Sequence, residues 1–109
     1  YSKVPNLMYQ YTDELNYRIS RIGGQEDLIK CLAYTHHRMV YIHPFNNGNG
    51  RTARLITDLI AKQQGYQNIK LYHREGEKRE GYLKAIRLAD QYDYSLLEKK
   101  ISEQIIPLQ

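Results

Sequence analysis

Residues 43 to 54 read HPFNNGNGRTAR, and they join one histidine, an asparagine between two glycines, and two arginines three residues apart. Gly48 and Gly50 can take positive φ and let the backbone approach an anion, while Asn49 adds an amide donor. Where a helix starts, its first N–H groups lack intrahelical partners and its macrodipole adds partial positive charge, so an anion is stabilised there. Arg51 and Arg54 then share one side of the first turn, where two guanidiniums can hold polyphosphate oxygens in forked contacts. His43 stands at the other lip of the loop. An imidazole can take the proton of a hydroxyl attacking a phosphorus held in such a cradle, a role worth roughly 10² to 10⁴ in rate. Taken singly, the parts have plainer uses: a Gly-Asn-Gly turn can be only a turn, and Arg54 with Asp58 can be a surface ion pair. Phe45, the only phenylalanine, is expected to plug the loop into the core.

The flanking segments must position these groups. After Pro5, the residues Leu7, Met8, Tyr11, Leu15 and Ile19 fall three or four apart, as one helix face would, and Gly23-Gly24 ends the segment. From Gln25 to Ile42 the helical period continues through Leu28, Ile29, Leu32, Ala33, Met39 and Val40, and Pro44 forces the residue before it out of helical geometry. Arg51 to Gln64 resumes as a helix with Leu55, Ile56, Leu59 and Ile60 on one face and Gly65 as its C-terminal cap. YQNIKLY is an extended connector or short strand. The stretch EKREGYLKAIRLAD places Tyr82, Leu83, Ile86 and Leu88 or Ala89 at helical spacing, and Ser95 with Glu98 forms a capping-box pair before a last short helix. The expectation is one all-α domain of about five helices over residues 1–109.

Composition narrows the functional classes. The chain has 109 residues, 41% of them hydrophobic, enough for one modest core. It carries 16 Lys and Arg against 12 Asp and Glu, a net charge of +4, spread without any run of five like charges. That excess suits a phosphate-bearing small molecule, and without a clustered basic face a nucleic-acid partner is not expected. Cys31 is the single cysteine and lies within an apolar helical pattern, so a buried inert thiol in a reducing compartment is expected. His36, His37 and His43 with Cys31 match no standard zinc spacing. His36 and His37 read as one partly buried and one exposed helix residue, and His73 as a loop residue. No apolar run approaches a membrane span and YSKVPNL lacks the pattern of a signal peptide, so a cytoplasmic location without membrane attachment is expected.

HPFNNGNGRTAR resembles the signature of the Fic family, His-x-Phe-x-Asp/Glu-Gly-Asn-Gly-Arg-x-x-Arg, at every specified position except Asn47. VPNLM, LAYTHHRMVYIHPF, RTARLITDLIAKQQGY and REGYLKAIRLADQYDYSLL resemble Fic segments in the same order, so the likeness spans most of the chain. The Asn-bearing loop resembles most the subgroup labelled mobile mystery protein B. The resemblance implies a Fic-type helical core and transfer of AMP from ATP to a Tyr, Thr or Ser hydroxyl of a target protein, releasing pyrophosphate. It makes His43 the base, Gly48, Asn49 and Gly50 the anion hole, and Arg51 and Arg54 the phosphate-holding arginines. Tyr82 and Arg79 fall in the region that lines the base pocket of relatives, although core packing is the plainer use of Tyr82.

Asn47 stands where the family pattern carries the carboxylate that binds Mg²⁺. An amide oxygen can ligate the ion but without its charge, so weaker activity or a different donor is expected. Other donors known in the family, UTP, a phosphocholine donor or a terminal phosphate, are alternatives, as is a module that binds nucleotide or protein without catalysis. The resemblance places the target-docking β-hairpin flap upstream of Tyr1. The inhibitory pattern of Ser or Thr, three residues, then Glu followed by Gly or Asn is absent from the sequence, so a Glu that restrained the enzyme at Arg54 would have to come from a separate protein or from sequence outside these residues.

Overall fold

The computed structural model describes residues 3–43, 47–71 and 73–108. Five helices follow in order: α1 (Val4–Ser20), α2 (Gln25–Ile42), α3 (Asn49–Gln63), α4 (Glu77–Asp90) and α5 (Ser95–Ser102). No strand is present among the described residues, and the all-α expectation holds. Helix α2 packs against every other helix, and α4 also packs on α5.

Patterning explains this central place. Along α2, Leu28, Cys31, Leu32, Ala33, Thr35, His36, His37, Met39 and Ile42 are all buried, so the helix is enclosed on nearly all sides. Cys31 is a buried free thiol, as its setting suggested. Leu28, Leu32, Leu97 and Ile101 centre the main core, and truncating any of the three leucines to Ala would cost about 2–5 kcal/mol. A second cluster of Tyr11, Met39, Ile42 and Ala53 lies where α1 meets the end of α2 and the start of α3. The Tyr11 hydroxyl donates to the Thr35 carbonyl at 3.1 Å, tying α1 to α2.

Three expectations need correction. The face of α3 is rotated: Leu55 and Leu59 are 61% and 52% exposed, while Ala53, Thr57, Ile60 and Ala61 are buried. Small residues at 53, 57 and 61 let α3 approach its neighbours closely, a pattern that ranking by hydrophobicity misses. His36 and His37 are each only 1% exposed, so neither is the surface residue expected. Ser95 forms no capping box, because it is already the first residue of α5; Asp93 Oδ1 instead accepts from the Ser95 N–H at 3.1 Å and from its hydroxyl at 2.6 Å.

The ends of α3 follow local chemistry. Gly65 has φ +90, the Gly65 N–H donates to the Lys62 carbonyl and the Tyr66 N–H to the Ala61 carbonyl, which together make a Schellman cap. The connector after it is extended rather than a strand: Gln67 N–H donates to the Ile106 carbonyl, and Leu108 N–H to the Gly65 carbonyl, both at 2.8 Å. Ile69 and Leu71 point inward from it and are buried.

Candidate active site

Helices α2 and α3 form a hairpin around the loop. Ile42 at the end of α2 and Ala53 in the first turns of α3 belong to one buried cluster, which sets the C-terminal end of α2 beside the N-terminal end of α3. The loop thereby falls between a helix that is ending and one that is beginning.

His43 is the C-cap of α2, with φ 55 and ψ 58, and its N–H donates to the Met39 carbonyl at 3.1 Å. A left-handed backbone is uncommon for a residue with a β-carbon and costs about 1–2 kcal/mol. It turns the chain sharply out of the helix and leaves the imidazole exposed. Pro44, which follows, excludes α geometry at this position, so left-handed and extended conformations are the choices that remain. Phe45, expected to anchor the loop, lies outside the described residues.

On the other lip, Gly48 caps α3 with φ 81 and ψ 7, a conformation that suits glycine. The Thr52 N–H donates to the Gly48 carbonyl at 2.9 Å, and the helix starts at Asn49, two residues before the expected Arg51. The amides of Gly50 and Arg51 therefore precede the first helical bond and face out of the positive end of the macrodipole. No side chain caps this end. Asn49 is 5% exposed, so its side chain is buried at the helix start rather than displayed on the outer lip.

The arginines fold back over the glycines. A β-carbon at Gly48 would stand 3.0 Å from Arg51 Nη2, and one at Gly50 would stand 3.5 Å from Arg54 Nη1. Both guanidiniums are thus held close to the backbone of the helix start, Arg51 exposed and Arg54 half-buried. Arg54 also borders a cleft of about 320 Å³ with Asp58, Asn68 and Ile69. Asp58 Oδ1 accepts from the Ile69 N–H at 3.1 Å, which gives that carboxylate a role in fixing the connector instead of the surface ion pair considered for it.

Behind the loop lies a polar layer that residue spacing did not reveal. His36 Nε2 is 2.7 Å from the Tyr82 hydroxyl, while His36 Nδ1 is buried without a partner. Burial above all, then the charge of Arg54 and the neighbouring His37, pushes the His36 imidazole down to about 4. Burial raises the Tyr82 phenol, against the opposing charges of Arg54 and Arg79. His36 and Tyr82 both feel the charge of Arg54, so the layer runs from the Arg54 side of α3 to α4. His37 Nε2–H donates to Asp90 Oδ1 at 2.7 Å, leaving Nδ1 to accept from the Tyr94 hydroxyl at 2.8 Å. Burial lowers the His37 pKa in spite of Asp90, so this contact is a hydrogen bond of a neutral ring at neutral pH. The only advance signal was two adjacent histidines in an apolar helix, since their partners lie 46 to 57 residues away.

Tyr82 packs against the main core, and its hydroxyl is taken by His36. Arg79 Nη1 donates to the His73 carbonyl at 3.4 Å. Asn47 is exposed. A resident Mg²⁺ site does not fit the donor set: no group of three His, Cys, Asp or Glu could hold a metal among the described residues, and the loop offers a neutral amide where a hard cation prefers carboxylates.

The described parts define a class: an all-helical domain in which a glycine-capped helix start carrying two arginines follows a histidine at the end of the preceding helix. A Fic/DOC family model matches residues 1–61, more than half of the chain, and the chain belongs to that family. It is similar to proteins named protein adenylyltransferase Fic. That of Aedes aegypti is 34% identical over 62 residues, covering 57% of this chain and 12% of the relative. That of Nematostella vectensis is 36% identical over 66 residues, covering 61% and 12%, and that of Drosophila willistoni 31% over 87 residues, covering 80% and 16%. The chain thus spans a small part of the length of these curated relatives. Among the described residues, no helix is long and apolar enough to cross a membrane.

Proposed function

We propose that the chain carries the catalytic core of a protein adenylyltransferase, which moves AMP from ATP to a Tyr, Thr or Ser hydroxyl of a target protein. The observation that carries this reading is the paired placement of His43 at the C-cap of α2 and the Arg51 and Arg54 guanidiniums over Gly48 and Gly50 at the start of α3. In this reading the helix-start amides and Arg51 receive the phosphates nearest the reacting phosphorus, and Arg54 meets the terminal phosphate. His43 takes the proton of the target hydroxyl, whose oxygen bonds to the α-phosphorus as the bond to pyrophosphate breaks. Tyr82 borders the base of the nucleotide. Its neighbours named protein adenylyltransferase support the reaction class.

Mg²⁺ enters this reading with the nucleotide's own phosphates, and Asn47 contributes no more than an amide oxygen to it. The neutral Asn47 also supports a second reading, in which the same cradle uses UTP, a phosphocholine donor or a terminal phosphate. A separate protein that placed a Glu on Arg54 would exclude the terminal phosphate and restrain the enzyme.

The test is incubation of lysate with labelled ATP and protein, wild type beside His43→Ala. A labelled band that disappears with His43→Ala is the expected result. Nucleotide binding with no transfer by the wild type to any target, from any of these donors, would instead make the domain a binding module. Mass spectrometry of the modified target identifies the donor.

A further inference from the structure

A second cavity, of about 320 Å³, opens where the connector, α4 and α5 meet, and its wall includes Lys70, His73, Lys78, Tyr82, Lys100 and Glu103. Three ammoniums from three separate elements share this wall with one carboxylate. Ion pairs among the described residues are Arg18–Glu14, Lys30–Glu26 and the His37–Asp90 contact, so no described carboxylate lies within 4.0 Å of any of the three lysines, Glu103 included. The His73 imidazole registers the crowding: it is pushed down by burial and then by Lys70, Lys78 and Lys100 together.

The wall is built rather than accidental in two respects. Lys70 is clamped through its backbone: its N–H donates to Gln104 Oε1 at 2.7 Å, and Gln104 Nε2 donates to its carbonyl at 2.7 Å. Gly81 lies inside α4, where glycine is less stable than alanine. A β-carbon there would stand 2.7 Å from Lys100 Nζ and 3.2 Å from its Cε, so the bare position is what lets the Lys100 ammonium lie across α4. Like charges so placed repel, and a group with two negative charges relieves the repulsion while accepting charge-assisted hydrogen bonds from several of them.

We propose that this cavity is an anion site for a phosphate group, carried on a small phosphate monoester or free, and separate from the loop at 43–54. The proposal stands whether or not the domain transfers AMP. Its test is a titration with inorganic phosphate followed by amide NMR, with sodium chloride at matched ionic strength as control. Saturable shifts at Lys70, His73 and Lys100 are expected, and they persist when Arg51 and Arg54 are both changed to Ala. Lys100→Gln is expected to weaken binding about tenfold, the loss of one charge-assisted contact. Gly81→Ala, which displaces Lys100 without removing it, weakens phosphate binding several-fold without lowering the unfolding midpoint. Shifts confined to residues 47–54, equal shifts in sodium chloride, or affinity unchanged by both Lys100→Gln and Gly81→Ala would overturn the site. An AMP arm, run with Arg51 and Arg54 both changed to Ala, distinguishes the sources: tighter binding than phosphate, with Lys70 and Lys100 perturbed, assigns the site to a monoester, and equal binding to free phosphate.

Discussion

His36 Nε2 lies 2.7 Å from the Tyr82 hydroxyl, and the two rings meet edge to face with centroids 5.5 Å apart. The contact joins the middle of α2 to α4, and the charge of Arg54 acts on both rings. Tyr82→Phe removes the one partner of an imidazole whose other nitrogen is already without one. It should cost about 1–3 kcal/mol, the penalty of a buried polar group left unsatisfied. Urea unfolding measures this, and a cycle with His36→Leu should return part of the loss, because the double change removes both halves of the contact.

Acid should weaken the fold earlier than exposed histidines would make it do. The His36 folded-state pKa of about 4 lies below the ordinary 6.5, so between these values the unfolded chain binds more protons and stability rises with pH. The contribution is complete above about 6.5, is lost as pH falls towards 4, and amounts to roughly 3 kcal/mol. His37 is lowered too and adds in the same direction. Urea midpoints from pH 7 to 4.5 should fall for the wild type and fall less for His36→Gln; parallel slopes would mean that His36 is not held neutral.

Two turns with the same geometry should answer oppositely to substitution. Gly65 after α3 and Tyr92 after α4 both take the left-handed position of a Schellman cap, with φ +90 and φ 67. Nothing lies within 4 Å of a β-carbon at Gly65, so Gly65→Ala isolates the backbone cost, about 1 kcal/mol. Tyr92 is 87% exposed, and Tyr92→Gly should stabilise by about 0.5–1 kcal/mol, read as a higher thermal midpoint.

Asn47→Asp restores a carboxylate at an exposed lip of the loop. Even when screened by water, unit charges at 4 Å interact by about 1 kcal/mol, so Mg²⁺-dependent nucleotide binding should tighten at least about fivefold. Calorimetry with and without Mg²⁺ measures it. An unchanged affinity places Asn47 away from the phosphates and removes it from the site.

Helix positions were legible because α2 and α4 carry strong periods, and because α1 and α2 end at firm stop signals, Gly23-Gly24 for one and Pro44 for the other. The motif loop was legible as a break between two helices because Pro44 and the glycines interrupt the helical period on either side. The rotated face of α3 was not, since Ala53, Thr57 and Ala61 pack by being small, and hydropathy favours Leu55 and Leu59 for the same place. The buried layer of His36 and His37 was not legible either. Histidine scores as polar, and Tyr82, Asp90 and Tyr94 reach it only through tertiary packing. The start of α3 moved because Gly48 can serve as its cap in a left-handed conformation that a pattern of hydrophobic spacing does not record.

Helix α2 packs against each of the other four, and α4 also packs on α5. Hydrogen exchange in its middle should therefore be as slow as global unfolding allows, with the ends of the outer helices loosening first. The imidazole of His43 is mounted at the end of this slowest-opening element. Partial melting of the start of α3 can disperse its arginines while the histidine stays in place, so on heating the amides there should lose protection before the core is lost.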